Sequence, residues 1–128
     1  QHRDEAFNGW LNTRGKAYVE RYAAPLVEAV QLVQSAGGRT VVAHPWSRGS
    51  HRVLTPDVIA ELQQVGLDGI EVDHNDHDEA ARAALRGIAA DLDLVVTGSS
   101  DYHGTGKSAA FGLGANLTAP DQLERLLG

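Results

Sequence analysis

Three short apolar runs alternate with segments long enough to hold helices, and this alternation constrains the fold more than any other feature of the chain. The runs are Thr40-Val41-Val42-Ala43, Gly69-Ile70-Glu71-Val72 and Leu94-Val95-Val96. Their connections are too long for hairpins, so the strands are expected to lie parallel in one sheet with right-handed crossovers. The intervening segments carry helix punctuation. After Pro25, residues Leu26, Val27, Val30, Leu32 and Val33 recur at helical spacing until Gly37-Gly38 stops them. Thr55-Pro56-Asp57 reads as an N-cap with proline at the first helical position, opening a helix that Gly66 closes. Asp78-Glu79 opens an alanine-rich helix reaching about Asp91, and Thr118-Ala119-Pro120-Asp121 caps a short terminal one. Residues 1–15 hold one short helix anchored by Phe7, Trp10 and Leu11, residues 46–52 form a polar loop, and residues 111–117 read as a strand interrupted by Gly112 and Gly114.

Parallel sheets place functional groups at the C-terminal ends of their strands. Each of the three runs ends in side chains suited to that role. His44-Pro45 follows the first, Asp73, His74 and His77 follow the second, and Asp101 and His103 follow the third within Thr97-Gly98-Ser99-Ser100-Asp101-Tyr102-His103-Gly104. With His51, in the loop after the first run, five of the six histidines sit in loops after strands, where scattered surface histidines would show no preference for one sheet edge. An Asp and a His two positions apart past a strand end can both aim into one polar pocket, as ligands of a divalent metal do. With no cysteine in the chain, any metal must be held by histidine and carboxylate.

The 128 residues, 42% hydrophobic and 22% charged, suit one globular domain. A net charge of −6 with scattered basic residues argues against a duplex-DNA-binding surface, although a phosphate pocket needs only local positive charge. No apolar run approaches the roughly 20 residues of a membrane span. Together with the absence of cysteine, this makes a cytoplasmic location the expectation.

Ala43-His44-Pro45, Gly69-Ile70-Glu71-Val72 with His74 and His77, and Thr97 to Gly104 resemble the later motifs of the polymerase-and-histidinol-phosphatase (PHP) superfamily. Within it they are most similar to small bacterial metallophosphoesterases acting on nucleoside 3′,5′-bisphosphates and short RNA ends. The resemblance extends upstream through Ala6-Phe7, Trp10-Leu11, Gly15 and Ala17-Tyr18-Val19. It implies an α/β fold forming part of a (β/α) barrel of the PHP type. Such enzymes begin with a His-x-His strand, whereas His2 is the only histidine before His44. Residues 1–128 are therefore expected to be the C-terminal part of a PHP domain lacking its N-terminal strands, with 1–16 the end of an inserted helical segment. The missing half of the barrel, or self-association, is expected to cover the exposed edge.

The resemblance assigns His44, Asp101 and His103 as metal ligands in a site of two or three divalent ions, manganese first, with zinc, iron or magnesium as alternatives. In a complete enzyme such ions acidify a bound water to hydroxide and neutralise phosphate charge, hydrolysing small nucleotide or short-oligonucleotide phosphate esters. The isolated chain is expected to be inactive. Alternatives are a histidinol-phosphatase-like or proofreading-exonuclease relative, or a scaffold that has lost its metal half. Arg48, four residues beyond His44, is a candidate phosphate contact or a solvated loop residue. His74 and His77 are candidates to orient a phosphate or protonate a leaving group, the latter alternatively a loop residue beside the next helix. Glu71 is expected to be structural or to support a ligand histidine. Lys107, after Gly104-Thr105-Gly106, lacks the spacing of a nucleotide-binding phosphate loop.

Overall fold

The computed structural model describes residues 3–20 and 22–128, so Gln1, His2 and Arg21 lie outside it. Helix α1 (Arg3–Ala6) runs directly into a π-helical turn, Phe7–Leu11, giving the short N-terminal helix expected from its three apolar anchors. After the turns of residues 12–17 come α2 (Leu26–Ser35), β1 (Val41–Val42), a kinked 3-10 segment (Ser47–Arg52), α3 (Pro56–Gln64), β2 (Gly69–Asp73), α4 (Glu79–Asp91), β3 (Val95–Gly98), a 3-10 turn (Ala109–Phe111) and α5 (Pro120–Leu127).

The caps behave as their chemistry requires. Thr55 accepts from the Val58 N–H and Asp78 from the Ala81 N–H, each satisfying a first-turn donor that the helix itself cannot. At the other end of α2, Gly37 takes φ +75° and the Gly38 N–H bonds back to the Val33 carbonyl.

The three strands form one sheet in the order β1-β2-β3, with both pairs parallel. Val42 pairs with Ile70, and Ile70 with Val96, so the ends of all three strands open on the same edge. A register shift between Glu71 and Asp73 twists the end of β2 before the histidine loop. Apolar side chains of β2 and its flanking helices make the core: Ile70 and Val72 pack with Val30, Ile59, Leu62, Leu67, Leu85, Ala89 and Leu94. Because β2 is central, its first four residues are buried on both faces.

Two sequence expectations are corrected in extent or kind. The first strand shrinks to Val41–Val42 because the Thr40 N–H is diverted to the Asp68 carboxylate at 2.7 Å. The segment 111–117 is no strand. Gly114 (φ +85°) and Asn116 (φ +55°) adopt left-handed backbone that no ladder accommodates. Instead, the chain wraps across the end of β3. An added Cβ at Gly98 would lie 2.5 Å from the Asn116 carbonyl oxygen, so only glycine permits this approach. Past the loop, side chains close the outer edge of β3: the Val96 N–H donates to Gln122 Oε1 (2.9 Å) and the Gly98 N–H to Thr118 Oγ1 (3.0 Å).

Candidate metal-binding site at the strand ends

His44 leaves β1 with a left-handed backbone, φ +30°, and Asp101 follows β3 with φ +49°. Neither is glycine, and non-glycine residues hold such conformations only where surrounding contacts over-determine them. For His44 those contacts are visible. Its backbone N–H donates to Glu71 Oε2 at 2.8 Å, and its Nδ1 lies 2.9 Å from the buried Ser47 hydroxyl. Engaging Nδ1 leaves Nε2 as the ring atom free to face the site.

Next to it, His74 is fully buried with its ring centroid 4.7 Å from that of His44. The Asp76 N–H donates to His74 Nδ1 at 3.1 Å, which makes Nδ1 an acceptor and places the proton of the neutral ring on Nε2. That Nε2 is buried and has no partner among the described residues. The nearest acceptor, Asp101 Oδ2, is 3.6 Å away. Burial pushes the imidazole below its ordinary value, His44 acts the same way and Glu71 opposes them, so the ring is held neutral.

His77 is different in kind. Its Nδ1 donates to the Val72 carbonyl at 2.9 Å and its Nε2 accepts the Trp46 N–H at 3.2 Å. Both ring nitrogens are taken by backbone, and in this arrangement His77 ties β2 to the turn after His44. Arg82, in the first turns of α4, braces the same loop by donating to the carbonyls of His74 (2.8 Å) and His77 (3.1 Å).

Asp101 gathers three cationic or protonatable groups. Lys107 Nζ contacts Oδ2, His74 Nε2 faces the same oxygen, and His103 Nδ1 lies 3.4 Å from Oδ1 while bonding the Asp101 carbonyl at 2.8 Å. The Lys107 hydrogen bond holds the Asp101 carboxyl below the usual carboxylate range. Asp73 is turned away from this group, its carboxylate gripped by Arg86 on α4. Arg48 is exposed, with left-handed backbone at φ +51°.

The residues singled out in sequence therefore fall into two sets. His44 stands beside His74, Asp101 faces His74, and His103 reaches only Asp101 at the exposed margin; His77 serves the backbone and Arg48 lies outside the cluster. Glu71 joins it, because one ligand atom each from His44, Glu71 and His74 lie within 4.8 Å of one another. This nitrogen-and-oxygen donor set, buried at Glu71 and His74 and partly open at His44, suits a divalent cation. Within it, His44 Nε2 and the carboxylates are the better ligands, since a cation on His74 Nε2 would require breaking the Asp76 contact. Ser47, Arg82 and Lys107 act on the site but carried no motif; three-residue spacing from His44 and placement in the first turns of α4 were the available signals for Ser47 and Arg82.

A parallel α/β sheet with a histidine-carboxylate cluster at its C-terminal edge is an arrangement able to hold a divalent cation. Comparison with known proteins narrows the class. A phosphoribosyl 1,2-cyclic phosphate 1,2-diphosphodiesterase of Eggerthella lenta is 38% identical over 97 residues, 76% of this chain and 33% of that protein. A 3′,5′-nucleoside bisphosphate phosphatase of Chromobacterium violaceum is 33% identical over 79% of the chain and 35% of its own length, and a 5′-3′ exoribonuclease of Haemophilus influenzae 26% over 77% and 36%. Among solved structures, a protein of Bifidobacterium adolescentis assigned as a metal-dependent phosphoesterase superposes with TM-score 0.84 at 36% identity, covering 98% of this chain and 44% of that one. An amidohydrolase from Chromobacterium violaceum, solved with bound sulfate and no metal, gives TM-score 0.64 at 27% identity, covering 91% and 38%. No family model matches. The chain is thus a homologue of metal-dependent phosphoesterases of the PHP type, and it spans about a third of the length of the curated relatives it matches. None of the helices of the described residues is long and apolar enough to cross a membrane.

Proposed function

We propose that this chain supplies part of the active site of a metal-dependent phosphoesterase, hydrolysing phosphate esters of nucleotides or short oligoribonucleotides. The observation that carries this reading is the convergence of His44, Glu71, His74 and Asp101 at the ends of three parallel strands. The named activities of the three relatives, each acting on a nucleotide-type or phosphoribosyl phosphate ester, support it. Residues 1–128 are proposed to be the C-terminal part of a PHP domain, with 1–16 ending an inserted helical segment, and the rest of the barrel to cover the open edge.

His44, Asp101 and His103 are the proposed metal ligands of this chain, and manganese the first candidate. A divalent cation at these groups supplies Lewis acidity, neutralising phosphate charge and lowering the pKa of a bound water. The protein residues do the remaining work. Ser47 fixes the His44 ring so that Nε2 faces the site, and Glu71 fixes its backbone. His74, neutral with its proton on Nε2, offers a buried donor to a phosphate oxygen without the cost of reorganising at the moment of reaction. Arg48, exposed in the segment after His44, is proposed as the contact for a second phosphate arriving from solvent.

Calorimetric titration of Mn²⁺ into the chain, beside His103→Ala, tests the ligand assignment. His103 is half-exposed and its removal leaves the core intact. Binding that weakens by about tenfold or more in the variant, equivalent to about 1.4 kcal/mol, is expected; equal affinity in both proteins refutes the assignment. Phosphate release from adenosine 3′,5′-bisphosphate on the same samples reports whether this chain alone turns over.

A further inference from the structure

We propose that Lys107 is a resident counter-cation of the site: its ammonium group occupies the Asp101 carboxylate until a divalent cation takes that carboxylate, and then turns to the substrate phosphate. This rests on the metal site proposed above.

Three observations converge on it. Lys107 Nζ contacts Asp101 Oδ2, the same oxygen that His74 Nε2 faces at 3.6 Å, so the ammonium lies inside the cluster. The pair is withdrawn from solvent, with side chains 17% and 24% exposed; the Arg125–Asp93 pair elsewhere on the surface has 42% and 93%. Lastly, the ammonium lies 4.4 Å from the centroid of the Phe111 ring, which itself stands edge-on to His74 at 6.3 Å. An aromatic face and a carboxylate together make a seat for a cation.

Such a seat can hold one cation at a time. Lys107 sits on Oδ2 and His103 stands beside Oδ1, and a divalent ion brought to the same carboxylate would repel the ammonium at close range. Loading the site must therefore move Lys107. Its four-carbon stem lets the ammonium swing without moving the backbone. Once displaced, it remains beside the unpaired His74 Nε2–H, and the two supply the pair of donors that a phosphate beside the cation requires.

Lys107 and Lys16 are the only lysines of the chain, which makes the proposal directly measurable. In the wild-type protein, the acetylation rate of Lys107 by acetic anhydride, read by mass spectrometry against Lys16 as internal control, should rise on saturation with Mn²⁺. In Lys107→Met, which keeps an apolar stem over Phe111, Mn²⁺ should bind several-fold to about tenfold more tightly because the competing state is removed. Inorganic phosphate should bind the Mn²⁺-loaded variant about tenfold more weakly than loaded wild type. An unchanged labelling ratio, or a variant whose Mn²⁺ affinity equals or falls below wild type, overturns the proposal while leaving the metal site standing. Failure of Mn²⁺ to bind either protein overturns the metal reading, and this proposal with it. The labelling experiment needs no variant, so a misfolded Lys107→Met would not shield the idea.

Discussion

The Glu71 carboxylate, buried in the central strand, accepts the backbone N–H of His44 at 2.8 Å and so ties β2 to the left-handed residue that ends β1. A carboxylate is an expensive group to bury, and its retention there makes sense where its charge also faces the histidines. Glu71→Gln keeps an acceptor and should cost about 1 kcal/mol, whereas Glu71→Ala strands the His44 N–H and should cost about 1–3 kcal/mol more. Urea unfolding followed by circular dichroism measures both. Equal stability of the two variants would show that the hydrogen bond does not hold His44. In Glu71→Gln, Mn²⁺ affinity should fall although the fold is kept.

The buried His74 makes stability depend on pH. Its folded-state pKa lies below the ordinary 6.5, chiefly through burial, so the unfolded chain binds the extra proton first. Stability is therefore full above about pH 6.5 and declines as pH falls from there toward the lowered folded value. Melting temperatures of the metal-free chain between about pH 5 and 8 should show this slope, and His74→Gln should flatten it. A wild-type profile flat across that range would mean that the imidazole is not held neutral.

Arg82 and the histidine loop illustrate what was and was not legible in the sequence. Parallel pairing followed from the length of the connections, and helix limits from local chemistry: Thr55, Asp78, Gly37 and Gly66 punctuate the chain within a few residues of themselves. The candidate cluster followed because strand ends and loop histidines coincide. What escaped depended on contacts between distant segments. His74 and His77 look alike in the string His74-Asn75-Asp76-His77, yet one ring is consumed by Trp46 and Val72 and the other is left with a buried open nitrogen. Residues 111–117 were misread as a strand because their alternating apolar residues served a loop that folds over Gly98.

Arg82 itself should matter more to the site than to the fold. Its two bonds to the loop carbonyls need the guanidinium fork, which a lysine ammonium cannot reproduce. Arg82→Lys should lower Mn²⁺ affinity by roughly threefold to tenfold, with a loss of stability of about 1 kcal/mol. Calorimetry and thermal unfolding on the same sample separate the two effects. A variant with unaltered metal affinity would show that the loop holds its shape without the brace.

The two edges of the sheet make opposite demands on solution behaviour. At β3, the outward N–H groups of Val96 and Gly98 are both taken by side chains of the C-terminal segment. This is how natural sheets blunt an edge. At β1 no described strand pairs beyond Val41 and Val42, and between that edge and α2 lies a groove of about 410 Å³ lined by Leu26, Ala29, Val30, Val33, Val41 and Leu67 among others. Alone in solution the chain should therefore self-associate through β1 and α2, not through β3. Val33→Glu places a charge in the groove on a half-exposed helical position, where it disturbs no buried contact of the core. Sedimentation velocity should show wild type associating with rising concentration and Val33→Glu remaining monomeric. Gln122→Ala, which reopens β3, should add a second mode of association. Monomeric wild type at high concentration would mean that the β1 edge is protected by its shortness alone, two residues giving too few free backbone groups to recruit a neighbour.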